Sequence, residues 1–409
     1  MVAAATNDLK DPGLYEAGIP WDIFAALRRD DPVHWTPETD GAGFWSIMKH
    51  AHILEVSRQP LLFSSAYENG GHRIFNENEV GLVGAGDSAI GIPFISRDPP
   101  IHTRYRKFVM PALAPNRLGD IEARIRDRVA TLINEIPLGQ PIDLVPALSA
   151  PLPLMTLAEL LGVSIDLWPK LYDWTNAFVG EDDPDFRQSP EALTATMEEF
   201  FAFSHQLFEA RRSEPTSDIA SLLANAEIDG VPVPFRDFVG NLILVLVGGN
   251  ETTRNSLSHS VAAFSSNPDQ WALVRNSRDI LKTAAPEMVR FASPVMHMRR
   301  TATEDTVLGG QAIAKGDKVV LWYISGNRDE DVFADANRFD IARKGPPHVG
   351  FGAGQHVCVG SRLAEMQLRI AFEMLAERVK SFDVQAPPRR FRSNFINGLK
   401  NLDVILRPA

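Results

Sequence analysis

The chain has 409 residues, 44% hydrophobic and 23% charged, the proportions of a folded globular protein with room for a large core. Asp and Glu total 52 against 41 Lys and Arg, a formal charge of -11, which argues against a protein that coats nucleic acid. One cysteine excludes an intrachain disulfide and any CxxC metal site, and the reducing cytoplasm is the expected compartment.

The first residues, MVAAATNDLKDPGLYEAG, carry no basic start followed by an apolar stretch, and no apolar run approaches the ~18 residues of a membrane span. A soluble chain without a membrane anchor is expected. No repeat and no linker divides it, so residues 1–409 read as a single domain. In chain order, His34 to Trp45 looks extended. Leu118 to Glu135 is an amphipathic helix, with Leu118, Ile121, Ile125, Val129, Leu132 and Ile133 at three and four spacing. Pro153 to Leu161 follows as a helix. Glu181-Asp182-Asp183-Pro184-Asp185 reads as a solvated acidic loop. Met197 to Arg212, Phe235 to Phe264 and Gln270 to Phe291 read as helices. Thr306 to Ala314 and Lys318 to Tyr323 read as strands, turning at Gly309-Gly310 and Gly316-Asp317. Cys358 to Val379 is a helix and Val404 to Leu406 a last strand. The fold class is mainly α, helix-rich, with a smaller β-sheet portion.

The densest signal is Phe351-Gly352-Ala353-Gly354-Gln355-His356-Val357-Cys358-Val359-Gly360. A cysteine at the start of a helix meets exposed N–H groups and the positive dipole end, which favour a thiolate. Glycines let the loop turn further N–H groups toward the sulfur. A thiolate held so is a good axial ligand for haem iron. A lone cysteine is more often an inert buried hydrophobe. The decapeptide decides otherwise: it resembles the cytochrome P-450 haem-binding signature F-G-x-G-x-H-x-C-x-G at every fixed position.

Further segments resemble that family in the right order, from Asp98 to about Asn397. His102 and Arg106 lie four apart, like the segment that binds the haem propionates, and Arg106 can fork onto a carboxylate. Arg300, with Arg299 as a competing choice, and His356 are the further propionate partners that the resemblance implies. Gly248-Gly249-Asn250-Glu251-Thr252-Thr253 resembles the oxygen-binding motif and is expected to interrupt its helix. There the resemblance makes Glu251 and Thr252 the catalytic pair that delivers protons, with the less frequent Glu in place of Asp. Glu287 and Arg290 resemble the E-x-x-R motif, with Arg338 in Asn337-Arg338-Phe339 as the third, structural partner. By family topology the substrate pocket draws on Ile92, Phe94, Leu244, Val247, Gly248, Val295, Met296, Phe395 and Ile396. Nearly all are apolar, which favours an apolar substrate. His297 is the polar exception, able to orient a head group or to touch the haem edge.

The resemblance thus implies a haem-thiolate monooxygenase that uses haem b and O2. Its expected partners are a ferredoxin or flavodoxin with an NAD(P)H-dependent reductase, since no reductase segment is fused. A monomer is expected. Arg104, Lys107, Arg362 and Arg369 could form a basic docking patch near Cys358. Met298-Arg299-Arg300-Thr301-Ala302 and Arg392-Ser393-Asn394-Phe395 look like the bacterial alkane and fatty-acid terminal hydroxylases. A medium-chain alkane or fatty acid is therefore the first substrate reading. The same segments resemble terpene and sterol oxidases, the alternative, and a peroxide-driven peroxygenase is a further one.

Overall fold

A computed structural model describes residues 8–38, 41–74 and 90–409. The helices are α1 (Trp21–Asp30), α2 (His50–Ser57), α3 (Ile101–Val109), α4 (Pro115–Glu135), α5 (Pro151–Leu160), α6 (Trp168–Val179), α7 (Pro190–Ser213), α8 (Ile219–Ala224), α9 (Phe235–Ser266), α10 (Pro268–Asn276), α11 (Leu281–Ala292), α12 (Tyr323–Gly326) and α13 (Ser361–Arg378). The strands β1 (Val33–Thr36), β2 (Phe44–Ile47), β3 (Phe63–Ser64), β7 (Met298–Ala302) and β10 (Lys318–Leu321) form one sheet in the order β1-β2-β10-β7-β3. A second sheet runs β11-β12-β4, from β11 (Val379–Val384), β12 (Asp403–Pro408) and β4 (Pro141–Asp143). Two hairpins, β5/β6 (Glu227–Ile228, Val231–Pro232) and β8/β9 (Thr306–Leu308, Gln311–Ile313), complete the β portion. Among the described residues, no helix is long and apolar enough to cross a membrane.

The helical core forms because each long helix has an apolar face to bury. In α4 all six periodic residues, Leu118 to Ile133, are buried. Each such side chain contributes about 1.5–3 kcal/mol. Helix α9 runs through the middle of this core, beside α5, α6, α11 and α13. It starts after the extended Pro234 and ends at Asn267, where Pro268 opens α10.

Several expectations are corrected. His34 to Trp45 is not one strand but two, β1 and β2, paired antiparallel with Trp35 opposite Trp45. Gln270 to Phe291 is two helices: Ser277 is extended, and the polar stretch Asn276-Ser277-Arg278-Asp279 breaks the helix although the apolar spacing continues across it. The glycines at 248 and 249 do not interrupt α9, whose helix is continuous from Phe235 to Ser266. The acidic loop is not merely solvated. Asp183 is fully buried, paired with Lys400 at 2.7 Å, and accepts the Arg392 N–H at 2.8 Å. It therefore clamps the α6–α7 connection onto the segment that carries Phe395.

Candidate functional site

The cysteine loop is shaped by two left-handed glycines, Gly352 at φ 68° and Gly354 at φ 65°. A Cβ on Gly354 would stand 2.0 Å from the Ser57 carbonyl oxygen, so the loop can pack on the end of α2 only with glycine there. The Cys358 N–H donates to the Phe351 carbonyl at 2.8 Å and closes the loop. Helix α13 begins at Ser361, so Cys358 precedes the helix instead of opening it as expected. Protein surrounds the thiol, and that burial pushes it up, while the Gly360 N–H and the Arg106 charge pull it down. Cys358 nevertheless keeps much of its surface accessible. The two facts agree if the sulfur faces an internal chamber.

Helix α9 carries another exposed position within the core. Gly248 is exposed in the middle of a helix that is otherwise largely core, and a Cβ there would meet nothing within 4 Å. Leu244, Gly248 and Thr252 follow one another at four-residue intervals and so neighbour each other on the helix surface. The Thr252 hydroxyl donates to the Gly248 carbonyl at 2.8 Å. Glu251 points elsewhere, toward α6. Its buried carboxylate pairs with Arg254 and accepts from Asn250 Nδ2 at 3.1 Å. The same Asn250 amide donates to Thr175 Oγ1 at 2.9 Å. Burial pushes Glu251 up, and Arg254 partly offsets this.

Two histidines and two arginines gather on the Cys358 side. The rings of His102 and His356 lie 4.0 Å apart. Both nitrogens of His102 are buried without a hydrogen-bond partner. Burial first, then the charges of Arg106 and Arg300, pushes His102 down to about 4, and burial first, then Arg300 and His102, pushes His356 to about 2. Arg300 is buried, donates to the Arg299 carbonyl at 2.7 Å and hydrogen-bonds Tyr323. Arg299 precedes it on β7 and so turns to the other face, where its guanidinium lies over Gly70. Among the described residues, neither Arg106 nor Arg300 has a carboxylate within ion-pair reach. Two unsatisfied ring nitrogens and two guanidiniums without an ion-paired carboxylate beside an accessible thiol fit an anionic porphyrin: the donors suit its propionates and the sulfur its iron.

The apolar lining is only partly as expected. Phe94 packs its ring 6.1 Å from His102, and Ile92 is half-buried. Val247 is half-buried, and Val295 pairs with Ile396 in an isolated bridge. Phe395 is flanked by His72 and His297, with Arg73 over its ring at 5.7 Å. Met296 does not fit the pocket assignment. It is fully buried in a separate apolar cluster with Leu9, Tyr15, Phe24, Phe44 and Trp322, because successive residues of an extended segment face opposite ways. His297 has both nitrogens committed to backbone, accepting from Ile74 N at 3.3 Å and meeting the Asn394 carbonyl at 3.0 Å. Burial pushes it down to about 3, so it stays neutral and holds these segments together.

Glu287 and Arg290 meet in a two-pronged pair at 2.6 and 2.8 Å. Arg290 also donates to the carbonyls of Asn327, Ala336 and Arg338. The expected third partner is corrected. Arg338 offers its carbonyl while its side chain is exposed, and the guanidinium that reaches Glu287 is that of Arg343, at 3.1 Å. Asn327 completes the link to the cysteine loop, accepting the Val349 N–H and donating to Ser293. Arg254, Tyr323, Asn327 and Arg343 were given no role in the site by the sequence, although the first three lie in segments that carry the family resemblance. Only the i, i+3 spacing of Glu251 and Arg254 offered a signal.

A family model described as Cytochrome P450 matches residues 120–406. The chain is 68% identical over 401 residues to the linalool 8-monooxygenase of Pseudomonas putida, across 98% of this chain and 99% of that protein. It is 36% identical over 409 residues to a steroid C26-monooxygenase of Rhodococcus jostii (strain RHA1), across 98% of this chain and 85% of that protein. Among solved structures, cytochrome P450-153 from Novosphingobium aromaticivorans superposes with a TM-score of 0.87 at 33% identity, across 99% of this chain and all of that one. With a loop, a helix stripe and relatives aligned nearly end to end all agreeing, the chain belongs to the cytochrome P450 family and is a monooxygenase of it.

Proposed function

We propose that this monooxygenase hydroxylates an acyclic monoterpene alcohol of the linalool type at a chain end. The observation that carries this reading is the 68% identity to a linalool 8-monooxygenase over almost the whole chain. An alkane or fatty acid takes second place, because that resemblance rests on shorter segments. The apolar side chains of Ile92, Phe94, Leu244, Val247, Val295 and Phe395, taken as its lining, suit a small apolar chain.

Haem b is the group this site would hold, with Cys358 as its thiolate ligand and His102, Arg106, Arg300 and His356 toward the propionates. When bound, the haem supplies reductive activation of dioxygen, using two electrons from a ferredoxin and its reductase. The chain's own residues do the rest. Gly248, having no side chain, leaves space beside α9. The Thr252 hydroxyl, now on the Gly248 carbonyl, orients a proton donor in that space. Glu251 holds the next proton, its carboxylate kept in place by Arg254 and Asn250. Glu287 and Arg290 fix the segment from which the cysteine loop hangs.

The test has two parts. The reduced protein under carbon monoxide should show the strongly red-shifted Soret band of a thiolate-ligated haem, and Cys358→Ser should abolish it. Linalool should then displace the iron-bound water, read as a spin-state shift, more tightly than decane, decanoic acid or a sterol. A larger response to decanoic acid would return the substrate reading to fatty acids. Turnover with peroxide alone, and none with ferredoxin and reductant, would make the protein a peroxygenase.

A further inference from the structure

Two glycines meet where the segment 90–97 crosses the first turns of α9. A Cβ on Gly240 would stand 2.1 Å from the Gly91 carbonyl oxygen and 2.9 Å from the Gly91 carbonyl carbon. A Cβ on Gly91 would stand 2.2 Å from Asp237 Oδ1 and 2.7 Å from both the Cα and the N of Asp237. Backbone atoms lie within 3 Å of the methyl group from either side, so moving a side chain does not by itself make room. Glycine weakens a helix interior relative to alanine, and Gly240 is buried in one. The close approach is the packing reason for its presence.

Hydrogen bonds lock the same contact. The Gly91 N–H donates to the Arg236 carbonyl at 2.8 Å, and the Phe94 N–H to Asn241 Oδ1 at 2.9 Å. Asn241 Nδ2 donates to the Asp237 carbonyl at 2.7 Å. The Asp237 carboxylate accepts from the Tyr105 hydroxyl at 2.5 Å and from Arg97 at 3.0 Å. Arg97 Nε returns to the Ile92 carbonyl at 3.1 Å. The segment that carries Ile92 and Phe94 is thus seated on α9 by backbone contact. Its seat is Gly240, and the next residues at four-residue intervals are Leu244 and Gly248, which border the chamber.

We propose that the Gly91–Gly240 contact is a specificity-determining element of the substrate site. It sets how closely the Ile92–Phe94 wall stands over α9, and so the length of chain that can lie along Leu244 and Gly248. Gly91, Gly240 and Asn241 are positioning residues: they act through Ile92 and Phe94 and need not touch substrate. The inference rests on the proposed placing of a small acyclic chain against that stretch of α9.

The experiment compares haem-loaded parent with Gly240→Ala and Gly91→Ala. Spin-state titrations are made with linalool and with nerolidol, its fifteen-carbon analogue. The added methyl group pushes the wall outward. Linalool binding should weaken about tenfold, nerolidol binding should tighten, and the linalool product should spread over more than one carbon. The carbon monoxide band should remain that of the parent, which a general structural defect would not allow. Asn241→Ala loosens the same seat without adding volume, and serves if crowding prevents assembly. It should move the linalool-to-nerolidol ratio in the same direction. An unchanged ratio and a single product in correctly assembled variants would overturn the proposal. If linalool gives no shift with the parent, the terpenoid reading fails by itself. The same ratio is then read with decanoic and hexadecanoic acids, and the proposal stands or falls on that.

Discussion

Arg254 closes onto the carboxylate of Glu251 one turn back along α9, and neither side chain reaches solvent. Removing one partner of such a pair leaves a buried charge and costs about 3–5 kcal/mol. Arg254→Met should show that loss in denaturant unfolding. Because burial raises Glu251, the folded state holds its proton more firmly than the unfolded chain does. The stability this confers is complete below the unfolded carboxylate value and disappears as pH rises through the folded one. Without Arg254 the folded value rises further. The variant should therefore lose more stability than the parent as pH rises above the ordinary carboxylate range. Glu251→Gln should flatten that dependence and slow product formation about a hundredfold. A pH profile shared by all three proteins would discount the pair.

Thr252 bonds to its own helix at Gly248 and borders the chamber. Thr252→Ala removes the hydroxyl that we propose orients protons there. Electrons should still be consumed near the parent rate, with product per NAD(P)H falling to about a tenth. Thr252→Ser should recover most of it. Equal yield per electron in parent and alanine variant is the outcome that sinks this role.

The Glu287 network separates two arginines that the sequence does not. Arg338→Ala deletes an exposed side chain whose carbonyl alone is used, and should change stability by less than about 0.5 kcal/mol. Arg343→Ala removes a guanidinium from Glu287 and three carbonyls, and should cost about 1–3 kcal/mol. Arg290→Ala should cost about 3–5 kcal/mol and weaken haem retention. Thermal or denaturant unfolding of the three variants checks the order.

The basic patch is smaller than its four residues suggest. Arg104 pairs with Asp229, and Arg369 with Glu122 and Glu373. Among the described residues Lys107 and Arg362 carry no ion pair, so they are the cations free to meet an acidic ferredoxin. Lys107→Glu and Arg362→Glu should each slow reduction by the donor severalfold at low salt, with the difference shrinking as salt rises. A reduction rate indifferent to ionic strength would remove electrostatics from donor docking.

What was legible in the sequence follows how local each feature is. The α4 stripe and the turn at Gly309-Gly310 are set by neighbours in the chain, and both are found where expected. The cysteine loop is ten consecutive residues, so its position needed no tertiary information. Arg343 was invisible because its meeting with Glu287 spans 56 residues. Asp183 looked like one carboxylate among five charged or turn-forming residues, yet Lys400 and the Arg392 N–H draw it inside. Ser277 breaks the helix where the apolar spacing runs on, since that spacing records which face is buried and not whether the backbone stays helical. Met296 shows the same limit: its apolarity announced burial without saying in which cluster.

That last cluster has a consequence for remaking the enzyme. Met296 and Trp322 pack with Leu9 and Tyr15, while Asn394 Nδ2 donates to the Lys10 carbonyl. The segment bearing Val295 and the turn bearing Phe395 thus lean on the amino-terminal stretch around Leu9, Lys10 and Tyr15. A chimera that swaps in the amino-terminal stretch of a relative would disturb the binding wall from behind. Shuffling libraries built on this scaffold should inherit residues 8–15 and 294–298 from the same parent.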